Sequence, residues 1–180
     1  MDRICKNHDD LKIEIRTKSS CRGFLSEIDN ATNVIFAFTI SPDEIITKFE
    51  HKTASLDARI SCIDMALKKG IKTRIAFDPM IYCRDWKNVY TEMFEKVAQN
   101  IDLSKLVDVS VGTFRISAEY MKNMRKEEPF CAAVQFPYKN DNGYYHYPDK
   151  IMNDCEDYMV SLVSKYVEKD RIFLWEKQKK

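Results

Sequence analysis

The chain has 180 residues, 44% hydrophobic and 32% charged, a balance that excludes wholesale disorder and leaves ample length for one buried core. Its 29 Lys+Arg against 28 Asp+Glu give a net charge of +1, which excludes the strongly basic footprint of a non-specific nucleic-acid binder but not a local basic patch. Six cysteines, at 5, 21, 62, 83, 131 and 155, contain no C-x-x-C, so no zinc site or iron–sulfur loop is written among them.

The opening Met1-Asp2-Arg3-Ile4-Cys5-Lys6 has no apolar h-region, and no apolar run reaches the about 18 residues of a membrane span. The expectation is a soluble, cytoplasmic chain with reduced thiols and no membrane partner.

From the amino end, β-rich runs fall at Leu11–Thr17 and Asn33–Thr39. Ser41-Pro42-Asp43-Glu44 then reads as a capping box with proline in the first helical position. Leu56, Ile60, Ile63 and Leu67 make one apolar stripe, and Gly70 closes that helix in the left-handed conformation it tolerates best. Another β-rich run, Lys72–Asp78, precedes a stripe of Trp86, Tyr90, Met93 and Val97. Val107–Thr113 follows, then a weaker pair at Ala132–Phe136 and Tyr144–Tyr147 around the tight turn Asp141-Asn142-Gly143. Ile151, Cys155, Tyr158, Leu162 and Tyr166 form the last stripe, before a final run at Arg171–Trp175.

Strands alternating with helices at this spacing predict parallel βα units in a single domain over 1–180, with function at the carboxyl ends of the strands. About four good units are too few for a closed barrel of roughly 250 residues, so the fold class is α/β, a partial parallel β/α barrel with a C-terminal hairpin and helix. Within the runs, Ile13 and Ile15 oppose Glu14, Arg16 and Lys18. Likewise Ile75 and Phe77 oppose Arg74 and Asp78, and Val109 and Val111 oppose Asp108, Ser110 and Gly112. If helices cover the apolar face, the polar one lines a wet lumen suited to a charged ligand; alternatively it is the solvent face of an open sheet.

Five strand-end motifs occur in order: Ile13-Glu14-Ile15-Arg16-Thr17-Lys18-Ser19, Phe38-Thr39-Ile40-Ser41-Pro42, Glu50-His51-Lys52-Thr53-Ala54-Ser55, Phe77-Asp78-Pro79-Met80-Ile81 and Gly112-Thr113-Phe114-Arg115. This series resembles the C-terminal half of the spore photoproduct lyase family of radical S-adenosylmethionine enzymes. The resemblance implies an incomplete radical-SAM-type barrel acting on damaged DNA that carries a thymine photoproduct. In that family a [4Fe-4S] cluster reductively splits S-adenosylmethionine into methionine and a 5′-deoxyadenosyl radical, which takes a hydrogen from the lesion.

Carried over by position, the resemblance implies that Lys18 pairs with the cofactor's methionine carboxylate. Thr39, in place of a family serine, also lies at the cofactor. Asp78 either orients the cofactor or caps its loop. Glu50 and His51 are candidate functional residues of undefined role. Arg115 is either a grip for an anionic group such as phosphate or a surface ion pair. Tyr145, His146 and Tyr147 match the hairpin that presents the lesion-binding residues, with tyrosine faces for base stacking. Where the family has Arg-Tyr this chain has His146-Tyr147, which weakens any phosphate grip and opens the reading of a radical enzyme with a non-DNA substrate.

The family's C-x-x-x-C-x-x-C cluster loop has no counterpart in these 180 residues, so no residue is assigned to metal or to catalysis here. The cluster is expected only if an N-terminal, cluster-binding half is supplied, and the chain alone is expected to lack lyase activity. It then reads as a truncated piece, a gene fragment, a subunit of a split enzyme, or a non-catalytic S-adenosylmethionine-binding module.

Overall fold

The β-rich runs and apolar stripes find each other in space largely as their alternation predicts. The structure, a computed structural model, describes residues 11–20, 22–27 and 33–174. Cys5, Cys21 and Trp175 therefore lie outside the described residues.

Eight strands follow in chain order among the described residues. They are β1 (Ile13–Thr17), β2 (Val34–Thr39), β3 (Lys72–Met80), β4 (Asp108–Thr113), β5 (Arg115–Ser117), β6 (Lys139–Asp141), β7 (Tyr144–His146) and β8 (Ile172–Leu174). A five-stranded sheet in the order β1-β2-β3-β4-β8 is parallel throughout. A small antiparallel sheet, β5-β7-β6, projects from it directly after β4.

Seven helices are described: α1 (Arg22–Glu27), α2 (Asp43–Phe49), α3 (Leu56–Lys68), α4 (Trp86–Asn100), α5 (Ala118–Glu127), α6 (Ala132–Gln135) and α7 (Asp149–Val163). The core joins Phe36, Phe38, Ile75, Phe77, Val109 and Val111 of the sheet to Ile60 and Ile63 of α3, Met93 and Val97 of α4 and Met159 of α7. Gly70, at φ +71, turns the chain out of α3 towards β3.

The opposite face of the sheet carries a different chemistry. Pairing aligns Arg16 with Ala37, Ala37 with Arg74, and Arg74 with Asp108. Arg74 forms ion pairs with both Glu14 and Asp108 across this face. Alanine at 37 and 76, both fully buried, leaves room for the long charged side chains beside them. Ser110 Oγ is buried on this face with no hydrogen-bond partner among the described residues.

Two local expectations are corrected. Ala132–Phe136 is not a strand: Val134 and Gln135 both donate their amides to the Cys131 carbonyl, closing the short helix α6, and the run has no strand neighbour to pair with. The capping box also fails, because α2 begins after Pro42 with no side-chain cap. Ser41 Oγ donates instead to Glu50 Oε1 at 2.8 Å, so its hydroxyl serves the far end of the helix.

Candidate functional site

The carboxyl ends of β1 to β4 surround one open hollow of about 480 Å3, lined by Arg16, Thr17, Lys18, Thr39, Asp78, Pro79 and Arg115. The parallel register explains the convergence. Thr17 pairs with Phe38, which leaves Lys18 one step beyond β1 beside Thr39 at the end of β2. Asp78 lies near the carboxyl end of β3, where the Asp78–Pro79 peptide is cis, and Arg115 follows the end of β4.

At the far wall, Arg115 grips Asp78 in a fork: Nη1 to Oδ1 at 3.1 Å and Nη2 to Oδ2 at 3.0 Å. Arg115 Nη1 also donates to the Thr113 carbonyl. Arg16 Nη1 approaches Asp78 Oδ2 at 3.8 Å, so two guanidiniums flank one carboxylate. Gly112 makes the fork possible, since a Cβ there would lie 2.9 Å from Arg115 Nη1 and 3.1 Å from Asp78 Oδ1.

At the near wall, Lys18 Nζ donates to Glu50 Oε1 at 2.7 Å. The same oxygen accepts from Ser41 Oγ, and Oε2 accepts from Arg59 Nη2 at 2.7 Å. Burial alone would raise the Glu50 carboxyl, but hydrogen bonds from Lys18, Arg59 and Ser41 outweigh it and hold the group below the usual carboxylate range. The Arg59 side chain is 0% exposed and also donates to the carbonyls of Ala54 and Thr39 and to Thr53 Oγ1.

The structure thus brings Lys18, Thr39, Asp78 and Arg115 to one hollow, with Glu50 directly behind Lys18. His51 lies on the exposed turn after Glu50, outside the lining residues. The hairpin residues separate. Tyr145 is half-buried, with the Arg125 guanidinium 5.1 Å from its ring centre. His146 pairs in register with Arg115, and its ring nitrogens face the Tyr147 carbonyl and Asp141 Oδ2, each at 2.8 Å. Tyr147 is 1% exposed, packed against Phe136 and Tyr138, and its hydroxyl accepts from the Tyr82 amide at 3.0 Å. It braces the hairpin and offers no face for stacking.

Sequence reasoning placed Arg16 on the polar face without giving it a role, and gave no site role to Ser41 or Arg59. Arg59 left a signal of its own: it stands three residues after Leu56 and four before Ile63, a charge set on the buried stripe of a helix. No group of three His, Cys, Asp or Glu side chains that could hold a metal exists among the described residues. Burial pushes the Cys155 thiol up to about 12 and also raises that of Cys83, so neither is a ready thiolate ligand.

Comparison with known proteins places these features. A family model described as Spore photoproduct lyase matches residues 5–129. The spore photoproduct lyase of Clostridium acetobutylicum is 22% identical, over 82% of this chain and 46% of its own length. Among solved structures, a spore photoproduct lyase mutant with bound AdoMet and dinucleoside spore photoproduct superposes with a TM-score of 0.73 at 21% identity, covering 91% of this chain and 50% of that one. A spore photoproduct lyase complexed with dinucleoside spore photoproduct gives the same TM-score and coverages at 20% identity. The chain spans about half the length of these relatives, and the structural likeness carries the fold.

Proposed function

Because the chain belongs to the spore photoproduct lyase family, we propose that it is the half of a radical S-adenosylmethionine lyase that binds the cofactor and faces a damaged-DNA substrate. The observation that carries this reading is the shared hollow, in which three cationic side chains, Arg16, Lys18 and Arg115, converge with Thr39 at the strand ends. A zwitterionic nucleoside with a carboxylate suits such a site: Lys18 meets the carboxylate, Thr39 supplies a hydroxyl, and the walls leave room for the nucleoside. Solved spore photoproduct lyases with bound AdoMet and with dinucleoside spore photoproduct support the ligand classes.

Asp78 serves this site by orienting Arg115, since both of its oxygens are taken by that guanidinium. Arg115 sits between hollow and hairpin, paired in register with His146, and is the residue suited to an anionic group of the substrate. When bound, S-adenosylmethionine supplies the radical that abstracts hydrogen. The chain's own residues hold its carboxylate and fix its orientation.

The [4Fe-4S] cluster is a different matter. The described residues do not fit it, and the sequence lacks the C-x-x-x-C-x-x-C loop, so its thiolates would come from polypeptide beyond these 180 residues. A second reading, a radical enzyme with a non-DNA substrate, is favoured by one observation: His146, where the family has arginine, spends both ring nitrogens inside the hairpin.

Calorimetry with S-adenosylmethionine tests the cofactor reading. Wild type is expected to bind, and Lys18→Ala to bind roughly tenfold or more weakly, the loss of one charge-assisted hydrogen bond. Equal affinities, or no binding by wild type, would remove it.

A further inference from the structure

Lys18 faces the hollow beside a carboxylate that, alone, would cancel it. Its Nζ is 2.7 Å from Glu50 Oε1, and an isolated lysine–glutamate pair offers a ligand no net charge. Glu50 is not isolated, because Oε2 accepts from the wholly buried Arg59 at 2.7 Å. We infer that Arg59 is a positioning residue of the hollow: it neutralises Glu50 from behind, so that Glu50 holds Lys18 in place without extinguishing its charge. Arg59, Glu50 and Lys18 then present one net positive charge to an anionic group of the ligand. This deepens the cofactor reading above and rests on it for the ligand's identity alone.

The geometry assigns the roles asymmetrically. Arg59 cannot swing into the hollow, for its donors are committed to the Ala54 and Thr39 carbonyls, Thr53 Oγ1 and Glu50. It also fixes the backbones that carry the ligand-facing groups. Thr39 is held directly through its carbonyl, and Lys18 through Ala54, whose amide donates to the Lys18 carbonyl at 3.0 Å. Lys18 is the solvent-facing member, its side chain 34% exposed.

The test separates charge from scaffolding. Lysines are reductively methylated with 13C, a modification that keeps their charge, and the Lys18 signal is assigned with Lys18→Arg. Inorganic sulfate, an anion independent of the cofactor reading, is then titrated against that signal. In Arg59→Met, Glu50 is free to cancel Lys18, and sulfate affinity is expected to fall about tenfold. In the double variant Arg59→Met/Glu50→Gln it should return to within about twofold of wild type, because the neutral amide leaves the lysine charge exposed. A purely structural Arg59 predicts a double variant as weak as the single one, and that result overturns the inference.

Should Arg59→Met not fold, Glu50→Gln decides alone. Sulfate affinity should hold or rise while the Lys18 signal moves onto those of exposed lysines. An unmoved signal or a loss of affinity sinks the proposal. S-adenosylmethionine is titrated in parallel: if wild type ignores it while the sulfate pattern holds, the cofactor reading fails and the charge arrangement stands.

Discussion

Gly112 sits where a single methyl group decides whether Arg115 can reach Asp78. The atom a new Cβ would strike first, Arg115 Nη1 at 2.9 Å, is the far end of a flexible side chain. Gly112→Ala should therefore cost little stability, about 0.5–1 kcal/mol, yet push the guanidinium off its carboxylate. Crystallography of the variant should show the fork broken with the sheet unchanged, and an intact fork would contradict this. Glu50 supplies a second test, through pH. Its folded pKa lies below its unfolded value, so the folded state binds fewer protons, and the stability it contributes is present above the ordinary carboxylate range. That stability is lost as pH falls through the depressed pKa. Denaturation followed from about pH 6 down to pH 3 should show wild type losing stability more steeply than Glu50→Gln, with the variant roughly 1–3 kcal/mol weaker at neutral pH. Parallel curves would mean that Glu50 is not the group responsible.

The elements behave differently according to how local their signals are. Helix α3 and the turn at Gly70 could be read from the sequence, because a 3.6-residue stripe and a left-handed glycine depend on neighbours in the chain. The parallel strands were equally legible, and their alternation correctly put Lys18 and Asp78 on one polar face. The run Ala132–Phe136 was not, since a short apolar segment becomes a strand only where a partner edge exists, and that is a fact of tertiary structure. Ser41 misled for the same reason: its best acceptor, Glu50, lies at the other end of helix α2, and no local pattern announces it. Tyr147 shows the limit most sharply. A tyrosine-rich hairpin suggests stacking faces, yet this ring lies among Phe114, Phe136 and Tyr138 and its hydroxyl caps the Tyr82 amide. Tyr147→Phe should cost roughly 1–3 kcal/mol by stranding that amide, and Tyr147→Ala about 3–5 kcal/mol by emptying the cluster. Thermal unfolding checks both, and a Tyr147→Ala protein as stable as wild type would return the ring to a surface role.

At the scale of the whole molecule, the net charge of +1 conceals a local imbalance, with Arg16, Lys18 and Arg115 lining the hollow beside a single lining carboxylate, Asp78. Such an arrangement is suited to holding a charged nucleoside, but it supplies no electron to break it. Cys62 and Cys155 are committed to the core, and no described cluster of side chains can hold a metal. The parallel sheet ends among the described residues at β1, which leaves one edge able to accept a further strand, as a barrel completed by another half would require. Anaerobic reconstitution of this chain with iron and sulfide is accordingly expected to give no four-iron spectrum and no turnover of a dinucleoside spore photoproduct, while S-adenosylmethionine binding persists. Adding a polypeptide that carries the three-cysteine loop should give both, and Lys18→Ala should abolish most of the gain by weakening the cofactor's hold. A four-iron cluster with turnover from this chain by itself would show that its own cysteines complete the centre, and the division of labour between two halves would have to be given up.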